Sequence, residues 1–247
     1  MRLSIFFLLL IFASISYGND KVEEITLNAD NTVTLRGDID LGSIISVQTA
    51  ILTLKSKQVH NPNDDIYLVI DSGGGVIDYG EALGSFIRED KHIVPIVLRA
   101  ASEAAFLFVT SPRRLIVEDA ILMFHRAAVT LKGQFNKGEL ESELDFLVRE
   151  NILQNERIAK SLGISVEEYQ NKVKDEWYLV GSKDILKNKA ADKVVHVSCD
   201  RALLDRKEMG VITVNGKRIQ AMFSGCPLVR LPLVIKADPT SLNNGDE

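Results

Sequence analysis

The run Ile66-Tyr-Leu-Val-Ile70, closed by Asp71-Ser-Gly-Gly-Gly75, limits the possible folds more than any other stretch of the chain. A strand-length segment that is apolar throughout suits burial on both faces, as in a parallel sheet held between layers. Glycines at its carboxyl end let the backbone come close to another group. Strand-like and helix-like segments alternate around it. Thr32-Val-Thr-Leu-Arg36 alternates at period two, Ile44 to Leu54 carries apolar residues at helical spacing, and Asn61-Pro-Asn-Asp64 marks a turn. Further on, Asp78 to Glu89 predicts a helix, Ile93 to Leu98 a strand, Ser102 to Val109 a helix, Arg114 to Val117 a short strand and Ile121 to Phe124 another apolar run. This order predicts one layered α/β domain with crossover helices, a class that gathers its chemistry at strand ends.

Lys137 to Leu162 sets Leu140, Leu144, Leu147, Ile152, Leu153 and Ile158 amid dense charge, an amphipathic helix longer than a crossover requires. It is expected to project and to pack against another subunit. Gly163 ends it, and Ser165-Val-Glu-Glu168 opens a second helix with a capping-box pattern. Beyond Asp192 the character changes. Val211 to Gln220, with Asn215-Gly216 suited to a type I′ turn, predicts a hairpin, and Cys199 and Cys226 bracket it. An exported chain with an even cysteine count favours a bridge between them, giving a small stapled β appendage over 197–236. Residues 237–247 are polar and are expected to be disordered.

Export itself is read from the first residues. Met1-Arg2, the apolar run Leu3 to Ala13 and the small residues ending at Ser16-Tyr17-Gly18 have the three parts of a secretory signal peptide, with cleavage placed after Gly18 and Ser16 as the alternative. The run is too short to span a bilayer, so the mature chain is expected to carry no membrane span and to be periplasmic or secreted. Loss of Arg2 takes the net charge from −5 to about −6, and no basic stripe or cluster stands out, which argues against nucleic acid as partner.

Three residue types capable of acyl transfer recur in separate settings: Ser102 in Arg99-Ala-Ala-Ser102-Glu-Ala-Ala105, His125 in Met123-Phe-His125, and Asp175 in Lys174-Asp175-Glu-Trp177. A serine hydroxyl needs a base to take its proton and a third group to hold that base. A tetrahedral intermediate needs backbone N–H donors, for which Gly74, Gly75 and Glu103 are the candidates. His60 and His92 fall in polar connections and His196 at a strand end, which leaves His125 as the base; Asp71, Asp78 and Asp192 compete with Asp175. The glycines do not make a phosphate loop, because Glu81 stands where the lysine is required and Asp78 where a third glycine would be. No Cys or His pair has zinc-ligand spacing, so neither metal nor other cofactor is implied.

In order and spacing, Thr32-Val-Thr-Leu-Arg-Gly37, Asp65 to Gly75, Ala100-Ala-Ser102, Met123-Phe-His125 and Asp175-Glu-Trp177 resemble the proteolytic subunit of the Clp protease, within the ClpP/crotonase fold. The resemblance covers roughly residues 31 to 196. It implies layered strand-strand-helix repeats, with the helix over 137–162 as the handle through which two rings stack. Ser102 would be nucleophile, His125 base and Asp175 its orienting acid, with Gly74 and Glu103 N–H groups at the oxyanion. The segment near Val129 to Phe135 would pair with unfolded peptide substrate as an added strand. The chain departs from the family at Gly73, where proline is usual, at Leu98-Arg99 and at Glu103, where methionine or glycine is usual. A carboxylate turned inward at 103 would repel an oxyanion. Export away from ATP argues against an ATP-driven unfoldase as feeder. The competing readings are a catalytically inactive ring scaffold or peptide-binding protein of the same fold, a crotonase-type acyl-CoA enzyme, and a Ser-Lys dyad using Lys132 or Lys137.

Overall fold

In a computed structural model, residues 22–57, 64–128, 134, 136–214 and 217–235 are described. The leader, most of the Val129–Phe135 segment, the Asn215-Gly216 turn and the tail 237–247 lie outside them. The elements run β1 (Glu23–Leu27), β2 (Thr32–Ile39), α1 (Leu41–Lys57), β3 (Ile66–Gly75), α2 (Ile77–Arg88), β4 (Ile93–Ala101), α3 (Glu103–Val109) and β5 (Leu115–Phe124). Then come α4 (Lys137–Leu162), α5 (Val166–Lys172), β6 (Trp177–Val180), α6 (Ser182–Lys187), β7 (Lys193–Cys199), α7 (Arg201–Asp205), β8 (Lys207–Val214), β9 (Lys217–Ser224) and β10 (Val234–Ile235). A sheet of order β1-β7-β5-β4-β3-β2 is parallel throughout, with β6 added antiparallel to β5. The layered α/β architecture with a projecting helix and a C-terminal hairpin is the one the sequence predicts.

The central strands are apolar on both faces because both faces are covered. Ile66, Leu68 and Ile70 of β3 and Ile93 and Val97 of β4 turn to the helical layer, among Ile44, Val47, Ile51 and Leu54 of α1. The alternate residues Val69, Val94, Ile96 and Leu98 turn to the other side, where they meet Leu203 and Cys226. The C-terminal segment is therefore a third layer of the domain and not a free appendage. Arg36 of β2 reaches into it, donating to the carbonyls of Pro227 and Val229 and lying over the Phe223 ring, while Arg230 returns to Asp71 of β3. The boundary drawn at 196/197 falls inside β7, which stays paired with β1 through Cys199.

Cys199 and Cys226 form the bridge, closing 27 residues around the hairpin. Replacing both by serine should lower stability by about 3 kcal/mol, read from the denaturant midpoint. An unchanged midpoint would show that packing on the sheet alone holds the third layer.

Helix α4 runs over the interval expected from its periodicity and carries the full reciprocal box, Asn136 accepting from Glu139 N–H at 3.0 Å and Glu139 accepting from Asn136 N–H at 2.9 Å. At Ser165 only half of the expected box forms, Ser165 Oγ accepting from Glu168 N–H. Only the last turns of α4 dock, through Gln154, Ile158, Ala159 and Leu162. The earlier turns project with Leu144, Phe146, Val148 and Leu153 exposed. Among the described residues no helix is long and apolar enough to cross a membrane.

Candidate active site

Strand register brings the predicted residues to one end of the sheet. Ala101 pairs with Met123, so Ser102, the next residue after β4, lies beside the end of β5, and its N–H donates to the Met123 carbonyl at 2.8 Å. His125 follows directly on Phe124. β6 pairs antiparallel with the same end, Phe124 opposite Trp177, which leaves Asp175 two residues before β6 on the side of His125. The rings of Phe124, Trp177 and Tyr169 pack together with centroids 5.3 to 6.3 Å apart and fix this corner. Asn151 of α4 accepts from the Ala127 N–H and so holds the chain just past His125.

Ser102 occupies a turn with φ 54° and ψ −125°, a left-handed backbone that costs a non-glycine residue of the order of 1 kcal/mol or more. It stands at the N-cap of α3, yet its side chain makes no capping bond. A serine is placed there at a conformational cost, and its hydroxyl is not spent on the helix. Ser102 lines a cavity of about 230 Å³ with Gly75, Glu103, His125, Gln154 and Tyr169. His125 is half-buried and also borders a second, shallower cleft, which it shares with Asp175. Ser102 and His125 thus share one cavity, and His125 and Asp175 the next. Among the described residues no hydrogen bond joins the three side chains, and Asp175 is exposed. Two of the competing carboxylates are engaged elsewhere: Asp71 with Arg99 and Arg230, Asp192 with Arg114.

The glycines divide the work. A Cβ on Gly74 would stand 2.6 Å from the Ala101 carbonyl oxygen, 2.7 Å from Ser102 Cβ and 3.0 Å from Glu103 N, so a bare backbone is required beside the serine turn. The Gly74 N–H itself donates to Ser72 Oγ, which in turn donates to the Gly37 carbonyl. Gly75, not Gly74, lines the cavity. As the first residue of α3, Glu103 has an N–H with no intrahelical acceptor. Of the three candidate residues, Gly75 and Glu103 line the cavity.

The Glu103 side chain turns away into the protein, only 3% of the residue exposed. It fills the space over Gly80, where a Cβ would stand 2.3 Å from Glu103 Oε1, and its Oε2 accepts from Gln154 Nε2 of α4 at 3.0 Å. Burial first, then the neighbouring carboxylates Glu81, Glu150 and Asp78, raise its pKa from 4.5 to about 8, against a lowering by the Gln154 hydrogen bond. A group with that pKa is mainly the neutral acid at pH 7, so the repulsion that a carboxylate turned toward the oxyanion would cause does not arise. Because the folded value lies above the unfolded one, stability falls as pH rises from 4.5 to about 8 and then levels. Glu103→Gln should remove this slope and raise stability at pH 7 by roughly 3 kcal/mol. Denaturant midpoints between pH 5 and 8 test it; parallel curves for the two proteins would contradict it.

Gln154 and Gly80 were not singled out in the sequence, although each leaves a trace. Gln154 interrupts the apolar stripe that continues through Ile158 and Leu162, and Gly80 lies inside a helical pattern, a sign of close approach. Burial holds the phenol of Tyr169, at the same cavity, protonated far above its usual range. The family model for the Clp protease matches residues 19–196, which span the whole parallel sheet up to β7 and every residue of this corner. The chain belongs to the Clp protease family, which makes it a peptidase by descent.

Proposed function

We propose that the protein is an exported, ATP-independent serine peptidase that hydrolyses peptide bonds of unfolded polypeptides. One observation carries the reading: a serine held in a strained turn, with its hydroxyl free of the helix, faces the same cavity as His125. Ser102 Oγ attacks the substrate carbonyl carbon while His125 takes its proton, and the negative charge formed on the carbonyl oxygen is met by the Glu103 and Gly75 N–H groups. Collapse breaks the C–N bond, the amine leaves with the proton from His125, and the acyl-enzyme on Ser102 is released by water through the same base. Asp175 orients the imidazole from the neighbouring cleft. In a free enzyme such side-chain contacts are often loose and tighten on the substrate.

Export rests on the leader-like first residues, and independence of ATP follows from export. The apolar side chains exposed along the projecting half of α4 support assembly into an oligomer through that helix. No cofactor enters the chemistry.

The test uses purified chain starting at Asn19, sized on a gel-filtration column and incubated without nucleotide with an unstructured polypeptide and with a tightly folded protein. Cleavage of the first alone, blocked by a fluorophosphonate, is the expected result. An oligomer that retains the polypeptide without cutting it would favour the inactive scaffold, and turnover of an acyl-CoA thioester would favour the crotonase-type chemistry.

A further inference from the structure

Glu103 lines the Ser102 cavity, and its carboxyl is buried beside Gln154, which lines the same cavity. The carboxyl is tied at one oxygen only. Oε2 accepts from Gln154, and Oε1 is buried with no partner among the described residues, pressed into the space that Gly80 leaves open. Gln154 lies on the short docked section of α4, next to the projecting turns. Among the described residues, one side-chain hydrogen bond connects the first turn of α3 to the helix that leaves the domain.

We propose that the Glu103 carboxyl is a positioning residue for peptide hydrolysis: seated over Gly80 and bonded to Gln154, it locks the first turn of α3 against α4 and so holds the Glu103 N–H at the wall of the Ser102 cavity. The inference rests on the serine-peptidase reading and adds to it the residue that sets its oxyanion donor. It requires the neutral acid. The groups facing this carboxyl are acidic: Glu81 and Asp78 on α2 and Glu150 on α4. The cations nearest in this network, Arg157 of α4 and Arg88 of α2, are both drawn to Glu81. His125 and Tyr169 line the same cavity as Glu103 and Gln154. A carboxylate formed at 103 meets three like charges and an apolar seat, so loss of the proton drives it out of the Gly80 space and releases the turn.

The experiment measures the rate of Ser102 modification by a fluorophosphonate from pH 6 to 10, with the infrared C=O band of protonated carboxyl followed over the same range. In the wild-type chain both should decline together with a midpoint near pH 8. Glu103→Gln, which keeps a neutral, hydrogen-bonding group of the same shape, should lose that band and raise the ratio of the rate at pH 9 to that at pH 7 about tenfold. Glu103→Leu and Gln154→Met, which break the bond to α4, should slow modification at pH 7 by about tenfold, the equivalent of one hydrogen bond to the buried acid. Identical pH profiles in the wild type and Glu103→Gln, or full rates in Gln154→Met, would overturn the coupling while leaving the peptidase reading intact. A wild-type chain that is never modified, with the band still titrating, would instead defeat the peptidase reading itself.

Discussion

Ser102→Ala abolishes fluorophosphonate labelling and lowers peptide cleavage by about 10⁴-fold or more, the scale seen when an activated serine is removed from a cooperating set. The fold should not suffer, because the hydroxyl makes no capping bond that would be lost. Ser102→Gly goes further. At φ 54° a glycine relieves the backbone cost that serine and alanine both carry, so this inactive variant should be more stable than the wild type by about 1 kcal/mol. A residue that weakens the fold where it stands supports the proposed role of Ser102 in chemistry. Cleavage surviving in Ser102→Ala would contradict the assignment, and a Ser102→Gly protein less stable than wild type would contradict the strain argument.

Gly74→Ala should damage fold and activity together. The added methyl would meet the Ala101 carbonyl oxygen at 2.6 Å and Ser102 Cβ at 2.7 Å, in a residue whose φ is 93°. Neither contact lies at the end of a flexible side chain, so the serine turn must move. Overpacking of this kind and the left-handed backbone together cost roughly 3 to 5 kcal/mol, and displacement of Ser102 and Glu103 N–H should reduce turnover by about 10²-fold in whatever protein still folds. Gly73→Ala is the control, since a Cβ there meets nothing within 4 Å. Equal melting temperatures for Gly73→Ala and Gly74→Ala would show that the backbone near Ser102 can yield to a methyl group.

Much of this corner was legible in the sequence because it follows from strand order. Once Ile66–Ile70, Ile93–Leu98 and Ile121–Phe124 are read as neighbouring parallel strands, the glycines, Ser102 and His125 must emerge at the same edge. Four features escaped because they depend on side-chain partners or on weak patterns. Glu23–Leu27 and Trp177–Val180 are short, and half their residues face solvent, so neither shows the apolar run that marks β3. The cover on the second sheet face is spread over Leu203, Cys226, Leu228 and Val229, too scattered to display a period. The bond from the Gly74 N–H to Ser72 Oγ forms only when folding brings Gly37 alongside. Likewise the charge state of Glu103 comes from its burial between α2 and α4, which no local pattern encodes.

The account stands on Ser102 being activated by His125 across their shared cavity. Its most direct test is the rate at which a fluorophosphonate modifies the chain near neutral pH, with the adduct mapped by peptide mass spectrometry, in wild type and His125→Ala. Modification confined to Ser102, falling by about 10³-fold without the imidazole, is the predicted result. An adduct on a different residue, or equal rates in the two proteins, would contradict it.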